Sequence, residues 1–137
     1  MNAAATITAG IVVLTVITIE SGGVFLLHVV GGHKPANALQ TSFFRAGHAH
    51  AGVLVILGLV TLLLTSAADV ADPWAWLGPL GVLIAAILMP AGFFLSVLGR
   101  DPQRPGRLVA LLWAGAGVLA LGLATTGISL VVTGATA

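Results

Sequence analysis

The chain has 137 residues, of which five are Lys or Arg and four are Asp or Glu. Charged residues make up 7% and hydrophobic residues 58%, against roughly 25% charged in an ordinary soluble domain, and the mean hydropathy is +1.14. A soluble domain this small needs a polar cover that these residues cannot supply, which excludes a soluble enzyme and a disordered linker, and a net charge of +1 leaves no basic patch for nucleic acid.

The class is integral membrane protein. A spanning helix needs about 20 apolar residues and four need about 80, which leaves room here for short loops; six do not fit. Apolar runs such as 51–64 are continuous, without the alternating polarity of a barrel strand. The chain has no cysteine, so disulfides, thiolate metal sites, iron–sulfur clusters and covalently attached haem are excluded. The expected fold is all-α: one domain over 1–137, an up-down bundle of four membrane-spanning helices.

In chain order, the first span is predicted over 4–30, with Glu20 inside it and His28 near its end. The N-terminus lacks a basic segment before this stretch, so it reads as a span and not as a cleaved signal. Gly31-Gly32 and then Pro35 end the helix, and His33 and Lys34 fall in the connection. The second span is predicted over 42–65, with Thr41 or Ser42 as its cap; it carries Arg45, His48 and His50. Asp69, Asp72 and Pro73 mark a turn. The third span is predicted over 74–98. Pro90 inside it removes a backbone hydrogen bond and is expected to kink the helix, opening room beside Phe93 and Phe94. Residues 99–106 are rich in Pro, Gly and charge and form a loop. The fourth span is predicted over 107–132. Its Ala116, Ala120 and Ala124 form a small-residue stripe that packs another helix of this chain or of a neighbouring copy.

All five basic side chains flank the first and third connections: Lys34 and Arg45, then Arg100, Arg104 and Arg107. The positive-inside rule makes that face cytoplasmic. The expected location is therefore the cell membrane, with loops 31–41 and 99–106 cytoplasmic and both termini outside.

Polar groups at bilayer depth are functional candidates by default. His48 and His50 are two apart on a helix, so their side chains point about 200° from each other. They cannot chelate one ion together, which needs i, i+4 spacing. They can serve two different sides, one as an axial haem ligand and the other toward a second group or partner helix. His50 shares its face with Phe43, Gly47, Leu54 and Leu57, which suits a porphyrin; His48 shares its own with Phe44, Arg45, Gly52 and Val55. Gly47 and Gly52 remove side chains beside the imidazoles, and Arg45 is available to a haem propionate or a lipid phosphate. Against this stands the plainer reading of interfacial histidines bonded to neighbouring helices or headgroups. Glu20 reads as a proton carrier, as a partner for a histidine of the second span, or as a packing residue. Depth is expected to keep it away from His48 and His50, which lie near the cytoplasmic end of the second span while Glu20 lies about 15 Å from that end of the first, and to match His28 to them better. His28 is then a second axial ligand, a pocket-lining group or an interfacial residue.

Three short segments resemble those of the styrene oxide isomerases, with hydroxylaminobenzene mutases as similar relatives. Val29-Val30-Gly31-Gly32 is similar to a V-G-G stretch that closes their first span. Arg45 with Ala49-His50-Ala51-Gly52 resembles their R-A-H-S-G segment, and Ala91-Gly92-Phe93-Phe94 resembles V-G-F-Y in their third span. The matches fall within residues 27–98. The resemblance implies a four-span fold, haem b with His50 as ligand, a homo-trimer, and a Lewis-acidic iron that opens an epoxide. It departs at two positions: Ile56 stands where the isomerases carry a substrate-binding asparagine, and Phe94 where they carry tyrosine.

The leading expectation is thus a haem b protein of the membrane that acts on a small apolar substrate by Lewis-acid or redox chemistry. His50, His48, Arg45 and Gly47 are its cofactor residues, and Glu20, His28, Ile56 and Phe94 are candidates for the substrate pocket. The alternatives are a non-enzymatic accessory subunit of a larger complex, and a proton or metal conduit using Glu20 and the histidines.

Overall fold

A computed structural model describes residues 1–136. Helix α1 spans Ala3–Val30, α2 Ala38–Ala67, α3 Trp74–Ser96 and α4 Ala110–Ala135, the last preceded by one 3-10 turn at Arg107–Val109. All four are long and apolar enough to cross a membrane, and no strand occurs among the described residues.

The helix ends differ from expectation where caps decide them. α2 begins four residues before Ser42, because Asn37 and not Thr41 or Ser42 is its cap. The Asn37 side chain accepts from the Gln40 amide at 2.9 Å, and the Gln40 side chain accepts from the Asn37 amide at 3.1 Å. This reciprocal capping box satisfies two donors that a helix start otherwise leaves orphaned. α3 stops at Ser96, two residues short of the predicted end. The Ser96 carbonyl then accepts from the Gly106 amide at 2.6 Å, so the loop folds back on the helix end. α4 is regular only from Ala110 and runs to Ala135, past the predicted end at 132. α3 stays helical through both Pro79 and Pro90.

The helices pack in chain order. α3 is central and lies against α2 on one side and α4 on the other, while α1 rests on α2 alone. The α3–α4 seam is built of glycines. A Cβ on Gly122 would sit 2.9 Å from the Gly78 carbonyl and 3.0 Å from the Val82 nitrogen. A Cβ on Gly81 would sit 2.9 Å from the Gly122 Cα. Backbones this close gain dispersion contacts that water exclusion cannot provide within lipid. Gly115, Gly122 and Thr126 are the buried positions of α4. The Ala116, Ala120 and Ala124 stripe lies off this seam, with Ala120 and Ala124 exposed and Ala116 half-buried, so of its two expected partners it is not a helix of this chain that covers it.

The first and third connections meet at one end of the bundle, as an up-down topology requires. The Asn37 side-chain amide donates to the Asp101 carboxylate and to the Pro102 carbonyl, each at 2.8 Å. The Gln40 amide donates to the carbonyls of Val97 at 3.0 Å and Gly99 at 3.2 Å. Just inside this end, all five phenylalanines of the chain join in two runs. Phe25 meets Phe44 edge-on at 5.3 Å and Phe44 stacks on Phe94 at 5.4 Å. Phe43 meets Phe93 edge-on at 5.6 Å. At the opposite end, Thr65 is fully buried and donates to the Ala75 carbonyl at 3.1 Å, joining α2 to the start of α3.

Candidate functional site

The two α2 histidines lie on opposite flanks of the α2–α3 contact, as their spacing predicts. His50 is half-buried, and its ring tilts against Phe93 with centroids 5.0 Å apart. Its Nδ1 lies 2.8 Å from the Ala46 carbonyl one turn earlier. A carbonyl can only accept, so Nδ1 is the donor in this bond, and Nε2 is the ring nitrogen that it leaves unengaged. His48, also half-buried, turns toward α1 and packs over Gly22 and Gly23. A Cβ on Gly22 would stand 3.3 Å from the His48 Nδ1, and one on Gly23 3.5 Å from its Nε2.

This notch in α1 was not singled out from the sequence. Its signal was there: two adjacent glycines within an apolar span mark a close approach of another chain segment. The contact also corrects the expected depths. Ten residues separate Glu20 from the end of α1 at Val30, and ten separate the start of α2 at Ala38 from His48. Each therefore lies about 15 Å from the loop end at 1.5 Å per residue. The early cap at Asn37 moves His48 deeper than a start at 42 implies. Glu20 and His48 still form no bond. Each side chain leans toward the N-terminus of its own helix, and the helices are antiparallel, so the two lean apart.

Gly47 also behaves differently from expectation. It is buried, and the space beside it is filled: a Cβ there would lie 2.8 Å from the Phe94 ring and 3.0 Å from the Phe93 Cβ. The room expected at Phe93 and Phe94 is therefore taken by their own packing on α2. Gly52 has nothing within 4 Å of where its Cβ would be. Arg45 is exposed and borders a shallow recess with Ala36, Ala38 and Thr41 at the loop end.

A groove of about 430 Å³ opens between α1 and α3, floored by Ala51 and Val55 of α2 and walled by Val12, Thr15, Leu83 and Ile87. It exists because α1 touches α2 but not α3. The Thr15 and Thr18 hydroxyls donate to carbonyls of their own helix, each at 2.6 Å, so they offer the groove only methyl groups and oxygen lone pairs. His48 does not line the groove; it lies one turn from Ala51 on the same side of α2, toward the loop end.

The remaining candidates stand apart. Ile56 is 62% exposed and faces away from the chain. His28 is exposed near the loop end, with its Nδ1 2.8 Å from the Val24 carbonyl and its ring 5.9 Å from that of His33. Glu20 is exposed on the outer flank of α1. The structure thus gathers His50, Phe93, Phe94 and Gly47 on one side of α2 and His48 with the groove on the other. No protein-family model, curated protein or solved structure matches the chain.

Proposed function

We propose that this multi-pass protein of the cell membrane binds haem b through His50 and acts on a small apolar molecule drawn from the bilayer, in the manner of the isomerases it resembles. The observation that carries this reading is the His50–Ala46 hydrogen bond. A histidine that ligates a metal ordinarily donates its other ring N–H to a carbonyl or carboxylate, which fixes the tautomer and the ring orientation. An imidazole fixed in this way would suit a residue that holds a haem iron, with Phe93 bracing the ring. The filled notch at Gly47 is not the seat of a macrocycle. When bound, haem supplies a Lewis-acidic or redox-active iron. The chain supplies an imidazole held in place by its Nδ1 bond, a phenylalanine cluster that excludes water from the loop end, and Arg45 as a cation for a carboxylate or phosphate.

A second reading makes His48 the ligand. It is favoured by an apolar groove lined by Ala51, one turn from this residue, and by an imidazole that has no hydrogen-bond partner among the described residues. In either case the basic side chains at the end where the first and third connections meet orient that end to the cytoplasm.

An absorption spectrum of the detergent-purified protein tests both readings. A Soret band is expected at near-stoichiometric haem. Loss of the band in His50→Ala with retention in His48→Ala supports the first reading, and the reverse supports the second. A colourless protein that co-purifies with larger subunits would sink both and favour an accessory role.

A further inference from the structure

Four residues at the start of α2 share one face. Ala38, Thr41, Ser42 and Arg45 fall at i, i+3, i+4 and i+7, and with Ala36 they line a shallow recess of about 510 Å³ at the loop end. The Thr41 hydroxyl is taken, since it donates to the Asn37 carbonyl at 3.0 Å. Ser42 and Arg45 are exposed, and nothing among the described residues bonds the Ser42 hydroxyl or the Arg45 guanidinium. The carboxylates that could neutralise Arg45 are placed elsewhere. Glu20 lies about 15 Å down α1, Asp69 and Asp72 sit in the opposite connection, and Asp101 is bonded to Asn37. A free guanidinium with a free hydroxyl one turn away suits a phosphate, whose several oxygens accept from both.

Depth narrows the source of that phosphate. The 30 residues of α2 make it about 45 Å long, against a hydrocarbon core of about 30 Å, so its first turns stand in the headgroup layer. Arg45 comes seven residues after Ala38, about 10 Å in, and its side chain leans back toward the helix start. The charged head therefore reaches the headgroups while its stem stays in the apolar layer. Further along the same face the polar residues stop. Ala49 is exposed, a Cβ on Gly52 would meet nothing within 4 Å, and Val53 and Ile56 are 63% and 62% exposed.

We propose that this face of α2 seats one anionic phospholipid of the leaflet at the loop end, its phosphate on Arg45 and Ser42 and one acyl chain along Ala49, Gly52, Val53 and Ile56. The order of polarity along the face is that of the lipid itself. Lys34, Arg100, Arg104 and Arg107 at the same end repel the ammonium of a zwitterionic headgroup and favour a net negative one. This gives Arg45 a lipid as its anion and needs no haem: His50 lies about 140° round the helix from Arg45, off this face.

Native mass spectrometry of the full chain in detergent tests the seat, with dioleoyl phosphatidylglycerol or dioleoyl phosphatidylcholine added at equal concentration. The unsubstituted protein is expected to retain one phosphatidylglycerol per chain, at least fivefold over phosphatidylcholine. Arg45→Gln should abolish that preference and Arg45→Lys, which keeps the charge without the fork, should keep part of it. Arg104→Gln, in the loop, should change it less than twofold. Equal losses in Arg45→Gln and Arg104→Gln overturn the proposal, because the charge of the whole end then suffices. Displacement of the lipid by an equal concentration of inorganic phosphate also overturns it, because the acyl chain then adds nothing. Should Arg45→Gln fail to insert, the unsubstituted chain decides: equal retention of the two lipids overturns the seat. The Soret band of the same samples is read separately. A colourless protein that keeps the lipid preference leaves the seat intact, whereas loss of the band in Arg45→Gln with no lipid preference in the unsubstituted chain assigns the guanidinium to a haem propionate and overturns it.

Discussion

Gly47 and Gly52 flank the two α2 histidines, and only Gly52 has space beside it. An alanine at 47 would press its methyl into the Phe94 ring, and overpacking of this kind costs about 1–3 kcal/mol. At 52 the methyl meets nothing, and alanine is the better helix former by up to ~1 kcal/mol. Thermal unfolding in detergent is therefore expected to show a lowered midpoint for Gly47→Ala and an unchanged or raised one for Gly52→Ala. Equal midpoints would mean that Phe94 does not fill the notch. The sequence shows that both positions are small; it does not show which neighbour takes the vacated volume, because that depends on the register of α3 against α2. The same limit applies to His48 and His50. Their divergence follows from helical geometry alone, whereas the glycine pair under His48 and the phenylalanine beside His50 required the packed helices.

At the scale of the element, the helices themselves were legible from apolar length and from the breaks between spans. Their ends were legible only as far as the caps were recognised. Asn37-x-x-Gln40 is a capping-box spacing; taking Thr41 or Ser42 instead shortened α2 and placed His48 too near the membrane edge. The faces were less legible, since each span is apolar all round and a helix with no polar side does not reveal which stripe meets protein and which meets lipid. The alanine spacing of α4 accordingly does not reveal whether the stripe meets a helix of this chain or of another copy, and within the chain it is Gly115 and Gly122 that are buried. The two kinds of small residue are separable by substitution. Gly122→Val drives a branched side chain into the Gly78 and Val82 backbone, which cannot yield as a side chain can. Gly127→Val enters open space. Limited proteolysis in detergent is expected to cleave the first variant several-fold faster than the unsubstituted protein and to leave the second near the unsubstituted rate; equal rates would refute the seam.

For the whole molecule, charge placement and hydrogen bonding agree. The connections that carry the basic residues are the ones tied together by Asn37 and Gln40. A cysteine at exposed Gln103 should react with a membrane-impermeant maleimide only after the cell membrane is opened, and a cysteine at exposed Ala71 should react in intact cells. Reversed labelling would invert the proposed orientation. What the sequence left open at this scale is the order of packing. Hydropathy counts four spans but does not reveal that α1 stays off α3, and the groove between them exists for that reason.

The bonds from Gln40 have a consequence for biogenesis. Its amide reaches carbonyls 57 and 59 residues further along the chain, at the far end of a helix that leaves the ribosome later. The start of α2 can cap itself at once through Asn37 and Gln40, but the Gln40 side-chain amide waits for its acceptors until the third helix has been synthesised and inserted. The first helical hairpin must persist in the bilayer during that interval on its own contacts alone, at Gly22, Gly23 and His48 and between Phe25 and Phe44.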